Sequence, residues 1–448
     1  MSLGRMAMTA AAFLLGMGMP PLSAADAPDR EQGGATVSAP IVERVELITD
    51  QAVVGDGGNN WGGHQTRIVR TKDGVFTAYT TGKSDPPGAW RAYDGTPRFW
   101  KLATRTDAGW KVLAEGQSGR EPVNLMAAPD GRLHIIAWPD QTPHLWSGPP
   151  TAGKLEMKEE AIPGPWTRSH WPYGAAGISP KGDLALVQST TEEVPGRFVW
   201  GYRGAGEAKW VAGSTPVKQR HCYTYVLPEA GGRLAFTSTR DVLWHAMGYE
   251  KSSTGHSLGY VFNRVGFWTS DDVARKPMTE LQIAESVPSK EFPEVAACGT
   301  CVDSYVDTKG RLHAFYFFLG PETKGKQYIR HSIVDNGRVV KTVQLPEEMS
   351  GHFTAGDKAK GRPQYCRMIQ DTAGRFYLIG TTAIVPADSE DGTTLGQPVP
   401  LDLKGHKVEY SGMAVAAPRG GTPPADFVDA VFPTGDGKKV VYCRIRLR

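Results

Sequence analysis

Beyond residue 25 the chain has no apolar run approaching the roughly 20 residues that a membrane-spanning helix needs. It also has no long stretch of helical periodicity, which argues against a bundle or an α/β alternation. Charge of one sign is missing too: Lys and Arg number 50 against 47 Asp and Glu, a net +3. That near-balance leaves no broad basic field for nucleic acid, so any polyanionic partner must be met by a local cluster. Cysteine is scarce and odd in number, five in 448 residues, so the thiols cannot all pair.

What is present begins with MSLGRMAMTAAAFLLGMGMPPLSAA, residues 1–25: one Arg, a short apolar run and small residues resembling a cleavage site. This is the pattern of a secretory signal peptide, which places the mature protein outside the cytoplasm, secreted or periplasmic, without a membrane anchor. Residues 26–40 are polar and aperiodic and are expected to be flexible. Residues 41–448 are expected to form a single catalytic domain.

A recurring unit runs through that domain: an apolar strand, a Gly turn, a second apolar strand. Its seven copies are RIVRTKDGVFTAYTT, NLMAAPDGRLHIIAWP, GAAGISPKGDLALVQS, YVLPEAGGRLAFTSTR, SYVDTKGRLHAFYFF, RMIQDTAGRFYLIGTT and, more loosely, GMAVAAPRGGTPPADFVDAVF. The turn glycines are Gly74, Gly131, Gly182, Gly232, Gly310, Gly374 and about Gly420. Each stands where a short hairpin turn needs positive φ, between runs that alternate with a period of two. Further strand candidates between the copies, such as GWKVLAE and RFVWGYRG, bring each repeat to the four strands of a propeller blade. The sequence thus predicts an all-β, seven-bladed β-propeller. IVERVELITDQAVV lacks a Gly-turn partner and KKVVYCRIRLR is an unfinished blade, so the N-terminal strand is expected to complete the last one.

In such a ring the residues that precede each inner strand, and those that end the second, line one mouth of the central channel. These positions are His64, His144, His170, His221, Tyr223, Arg240, Cys298, Cys301, Tyr365 and Cys366. A long insertion after the fourth Gly turn adds Tyr249, Tyr260 and Arg264. The collection is rich in His, Tyr and Arg and poor in carboxylates. A glycoside hydrolase needs two flanking carboxylates, and the Ser-x-Asp-x-Gly-x-x-Trp turns of sialidases are missing. A His, Tyr and Arg set instead suits proton abstraction beside a carboxylate: cations neutralise a uronate, its C5 proton becomes acidic, and His or Tyr removes it. Any one of these residues could equally be an internal hydrogen-bonding or space-filling group.

The Gly-turn repeats, PHLWSG, RSHWPYGAAG and the HCYTY…STRD hairpin together resemble the secreted seven-bladed propeller polysaccharide lyases, notably the ulvan lyases. The resemblance implies β-elimination on a uronic-acid-containing, sulfated polysaccharide. It implies His144 and His170 as a histidine pair, Tyr223 as the proton-transferring phenol and Arg240 as the uronate clamp. Tyr225 could replace Tyr223, and His221 one of the two histidines. His64, His221, Tyr225, Tyr249, Tyr260 and Arg264 are the substrate-binding candidates. A propeller glycoside hydrolase and a noncatalytic carbohydrate-binding propeller are the alternatives.

Cys298, Cys301 and Cys366 with His245 or His221 offer three thiolates and an imidazole, the donor set of a closed, structural zinc site. A Cys298–Cys301 disulfide is the alternative in an exported protein. No organic cofactor, nucleic-acid partner or membrane partner is expected. A monomer is.

Overall fold

The computed structural model describes residues 39–54, 63–84, 95–150, 155–169, 172–190, 195–243, 260–287, 297–324, 326–353, 365–408, 412–434 and 437–448. The expected signal peptide and residues 26–38 lie outside the described residues. No helix among the described residues is long and apolar enough to cross a membrane.

The chain is an all-β propeller. Strand β1 is Ile41–Thr49. A first sheet follows, of β2 (Ile68–Thr71), β3 (Gly74–Gly82), β4 (Arg98–Thr106) and β5 (Gly109–Ser118). The second holds β6 (Asn124–Ala127), β7 (Leu133–Ala137), β8 (His144–Gly148) and β9 (Lys158–Ala161). The third holds β10 (Gly174–Ile178), β11 (Leu184–Ser189), β12 (Gly196–Arg203) and β13 (Val211–Val217). Next come β14 (Arg220–Pro228), β15 (Leu234–Leu243), β16 (Tyr260–Ser270) and β17 (Thr279–Glu285), then β18 (Ala297–Val306), β19 (Leu312–Leu319), β20 (Tyr328–Asp335) and β21 (Arg338–Gln344). The chain closes with β22 (Arg367–Gln370), β23 (Phe376–Ile379), β24 (Ala383–Pro386) and β25 (Val399–Pro400), then β26 (Ala414–Val415), β27 (Phe427–Thr434) and β28 (Lys439–Arg446).

Where the sequence predicts seven separate blades, these strands form five separate four-stranded sheets and one of eight. The merger has a local cause: a parallel bridge between Asn263 and Cys298 ties β16 to β18, joining β14–β17 to β18–β21. Strand β1 pairs antiparallel with β28, from Ile41 opposite Arg446 to Thr49 opposite Val440.

The Gly turns behave as the repeat requires. In four hairpins the residue three before the Gly receives its N–H, and bonds across to the residue after it: Ala128 with Gly131 and Arg132, Ser179 with Gly182 and Asp183, Asp307 with Gly310 and Arg311, Asp371 with Gly374 and Arg375. The four glycines hold φ of 89°, 98°, 80° and 81°, which a side chain would strain. In the last sheet the left-handed residue is Gly421, at φ 88°, rather than Gly420. A Cβ there would stand 1.9 Å from the Ala127 carbonyl.

Apolar layers fill the spaces between neighbouring sheets. Val69, Phe76 and Trp100 meet Leu125, Ile135 and Trp146, and further on Trp200 and Phe198 meet Phe236 and Trp268. Ile68 and Val75 of the first sheet pack on Val431 and Tyr442 of the last. First strands of successive sheets also lie side by side, β2 against β6, β10 against β14 and β18 against β22. Their starting ends surround the mouth of a central channel.

Candidate active site at the channel mouth

The mouth is assembled from the residues that lead into the first strands. His64 and Gln65 precede β2, Glu121 precedes β6 and Tyr173 precedes β10. The buried Gln65 amide nitrogen lies 2.7 Å from Glu121 Oε1, 3.1 Å from the Gly174 carbonyl and 2.8 Å from His64 Nε2. The Tyr173 N–H donates to Glu121 Oε2 at 3.1 Å. One buried carboxylate thereby fixes the entry to three sheets.

The hairpin β14–β15 brings His221 directly opposite Arg240. Between Cys222 and Tyr225 the register slips, and within that bulge Tyr223 takes a φ of 51°. Tyr173 does the same at φ 45°. Both are partly exposed. A left-handed backbone costs a tyrosine about 1–2 kcal/mol, and such strain gathers at working sites. The Tyr223 ring is met edge-on by Tyr173 at 5.3 Å, His64 at 5.5 Å and Phe262 at 5.7 Å. Its phenol is held in place by three rings from three sheets.

Beneath this cluster the channel is cationic. Arg367 is buried and donates to four carbonyls, those of Val302, Cys366, Gly63 and Met413, at 2.6–2.9 Å. Arg419 donates to the His64 carbonyl at 2.9 Å and lies over the Tyr225 ring at 4.7 Å. Arg67 is buried among them, and burial first, then Arg367 and Arg419, pull its pKa down to about 9. Burial and the same three guanidiniums hold His64 well below the ordinary histidine value, so its imidazole is neutral.

Of the residues the sequence singled out, Tyr223 and His64 come together here. Tyr225 lies just below, buried, its hydroxyl donating to the Val302 carbonyl at 3.2 Å. His221 is turned into the interface with the third sheet, against Phe198 and Trp268, with Nδ1 2.9 Å from Ser238 Oγ. Burial holds it to about 3. Arg240 donates from Nε to Asn263 Oδ1 at 2.9 Å and from Nη2 to Glu285, and Arg264 meets the same carboxylate at 2.8 Å. His144 stands on the third strand of its sheet, stacked on Trp146 and bracketed by Glu159 at 2.9 Å and Asp140 at 3.4 Å. His170, His245 and Tyr249 lie outside the described residues, as do the side chains of Tyr260 and Cys301. Cys298 and Cys366 are buried in two different apolar clusters, beside Tyr316 and beside Phe353. No group of three or more metal-ligating side chains occurs among the described residues.

Several mouth and channel residues escaped the sequence reading: Gln65, Glu121, Tyr173, Arg67, Arg367 and Arg419. A signal existed for some. Arg67, Asn124, Tyr225, Asp303 and Arg367 each stand seven residues before a turn Gly, at Gly74, Gly131, Gly232, Gly310 and Gly374. The channel-facing position is therefore one step nearer the turn than the positions read.

Beside the tyrosines, Arg120, Arg168, Trp138, Asp140 and Ser169 line a cavity of about 210 Å³. Arg120 adjoins Glu121, and Pro172, also in its wall, adjoins Tyr173. The mouth thus offers a positioned phenol and a guanidinium-lined recess, with a neutral imidazole buried against the phenol ring.

No known family profile matches the chain, and no curated protein matches its sequence. Among solved structures it is similar to the polysaccharide lyase Uly1, at 12% identity and a TM-score of 0.50, over 91% of this chain and 100% of that one. A protein of unknown function from Dyadobacter fermentans shares 11% identity at a TM-score of 0.45, over 92% and 100% of the two chains. The Aleuria aurantia lectin shares 10% at 0.35, over 75% and 94%. At such identities the likeness to the lyase speaks for the fold.

Proposed function

We propose that this chain is a polysaccharide lyase that acts outside the cytoplasm on a uronic-acid-containing polymer. The observation that carries the reading is Tyr223: a partly exposed phenol on a left-handed bulge, wedged by the rings of Tyr173, His64 and Phe262 at a channel mouth. In β-elimination a base takes the C5 proton next to the uronate carboxylate, the C4–C5 double bond forms, and the C4–O bond breaks. The leaving oxygen then gains a proton. A phenol held at fixed angle can serve both transfers, and cations lower the C5 pKa by drawing charge onto the carboxylate. Arg240 is our clamp for that carboxylate, with His144 and His170 as the histidines that the resemblance implies. A sulfated, ulvan-like polymer is the substrate class proposed.

The ring is read as seven blades, the eight-stranded sheet counting as two joined by the Asn263–Cys298 bridge, with β1 completing the last. The structural zinc stays a proposal on Cys298, Cys301, Cys366 and His245. About one zinc per chain by elemental analysis supports it, and a metal-free folded protein removes it.

Asp241 favours a second reading as a glycoside hydrolase. It is buried beside Arg220 at 2.5 Å, and burial raises its carboxyl to about 6, in the range of a general acid. Products decide between the two. A conjugated unsaturated uronate end, seen by its ultraviolet absorbance, supports the lyase, whereas saturated reducing ends alone overturn it.

A further inference from the structure

On the face opposite the mouth, a cavity of about 1140 Å³ opens between the Gly turns of the third, fourth and fifth repeats and runs inward to Arg367 and Arg419. Its walls are apolar at Leu227, Pro228, Phe267 and Pro418. Its inner end is not. Arg367 spends its donors on four backbone carbonyls and has Asp303 Oδ1 at 3.9 Å, while Asp303 Oδ2 accepts the Met368 N–H. Arg419 is different. Of its five N–H groups, the single hydrogen bond among the described residues is the one to the His64 carbonyl, and it forms no ion pair there, the Asp303 carboxylate acting on it only from beyond ion-pair distance. It is partly exposed and lines this cavity.

The rim carries charges of both signs, most of them paired. Glu229 faces Arg233 at 3.0 Å, Asp271 faces Lys276 at 3.6 Å, Glu280 faces Arg264 at 3.5 Å and Asp307 faces Arg311 at 2.7 Å. Lys181 and Lys309, exposed on the third and fifth turns, form no ion pair among the described residues, and Asp335 is the rim carboxylate left to oppose them. Two ammonium groups without an ion-pair partner among the described residues at the entrance, and one guanidinium with donors to spare at the inner end, give an anion two points of attraction along the cavity.

We propose that this turn-side end of the channel is a second ligand site, separate from the mouth, which binds an oxyanion through Arg419. The ligand chemistry is a carboxylate or sulfate group, and the apolar walls leave room for a sugar ring carrying it. A planar guanidinium with free N–H groups accepts such an oxyanion in a paired, charge-assisted fork. The proposal does not rest on the reaction assigned to the mouth.

Calorimetric titration of the full chain with sodium glucuronate, and separately with sodium sulfate, at matched ionic strength tests it. Saturable binding is expected, preserved in Tyr223→Phe and weakened about tenfold or more in Arg419→Gln. Because Arg419 also braces His64 and Tyr225, a second variant reverses the rim alone: Lys181→Glu with Lys309→Glu should weaken binding severalfold while turnover at the mouth is unchanged. Glucuronate binding assigns the site to an acidic saccharide, and sulfate binding alone assigns it to a free inorganic ion. Absence of binding by either, or rim-reversed and wild-type proteins with equal affinity, overturns the proposal.

Discussion

Tyr173 and Tyr223 come from the entries of adjacent sheets, each with a left-handed backbone, and their rings meet edge to face with centroids 5.3 Å apart. Each ring buttresses the strained conformation of the other. Replacing Tyr223 by Phe keeps both rings and removes only the hydroxyl. Turnover on a uronate polymer is expected to fall by on the order of a hundredfold or more, with the melting temperature held within a few degrees. A melting temperature that collapses with the activity would make Tyr223 a packing residue.

Arg240 sits in a fork that is already occupied, by Asn263 and by a Glu285 carboxylate shared with Arg264. A substrate carboxylate gripped by Arg240 must therefore compete with Glu285. Glu285→Gln removes the competing charge and is expected to lower KM severalfold. Arg240→Lys keeps the charge but loses the planar fork, and turnover should drop by about a hundredfold. Unchanged steady-state constants in both variants would leave Arg240 as a strand-end ion pair.

His221 and His134 give the molecule an acid limit. Burial is the main cause that holds both to about 3, with nearby arginines adding to it. As pH falls below the ordinary value of 6.5, the unfolded chain takes up protons that these folded sites refuse. Their stabilisation is thus full above about pH 6.5 and is lost between there and pH 3, by roughly 1.4 kcal/mol per pH unit for each histidine. Urea midpoints at pH 7 and pH 5 measure the fall. His134→Gln should flatten the slope, and a midpoint independent of pH would contradict the burial.

The sequence carried the propeller in the turns. Asp130-Gly131, Lys181-Gly182, Lys309-Gly310 and Ala373-Gly374 stand between period-two runs, and a left-handed glycine is a local requirement that shows in one chain. Even Tyr223 stood out, because it lies on such a hairpin. Tyr173 and Glu121 did not. They sit in connections without periodicity, and their roles arise only when three sheets converge on one carboxylate. Arg419 was hidden for another reason: it belongs to a turn on the far face, and its side chain reaches the His64 backbone through the channel. Nothing in spacing encodes that reach.

The seam between first and last sheets turns on Glu46, carried by β1. Its carboxylate accepts from Arg105 Nε at 3.1–3.2 Å and Nη2 at 3.1 Å, and from the Trp110 indole N–H at 3.1 Å. Arg105 and Trp110 belong to β4 and β5, so one side chain ties a strand paired with β28 to the opening sheet. A two-pronged, partly buried pair of this kind is worth more than an exposed one, and Glu46→Ala is expected to cost about 1–2 kcal/mol. Arg44 serves as the control. It meets the same carboxylate at 3.2 Å from a more exposed position, and Arg44→Ala should change stability by no more than about 0.5 kcal/mol. A double-mutant cycle between Glu46 and Arg105 isolates the seam from general effects on β1. Coupling of about 1 kcal/mol or more supports a ring held shut by its N-terminal strand. If the two substitutions simply add, β1 covers the edge of β28 without joining the first sheet to the last.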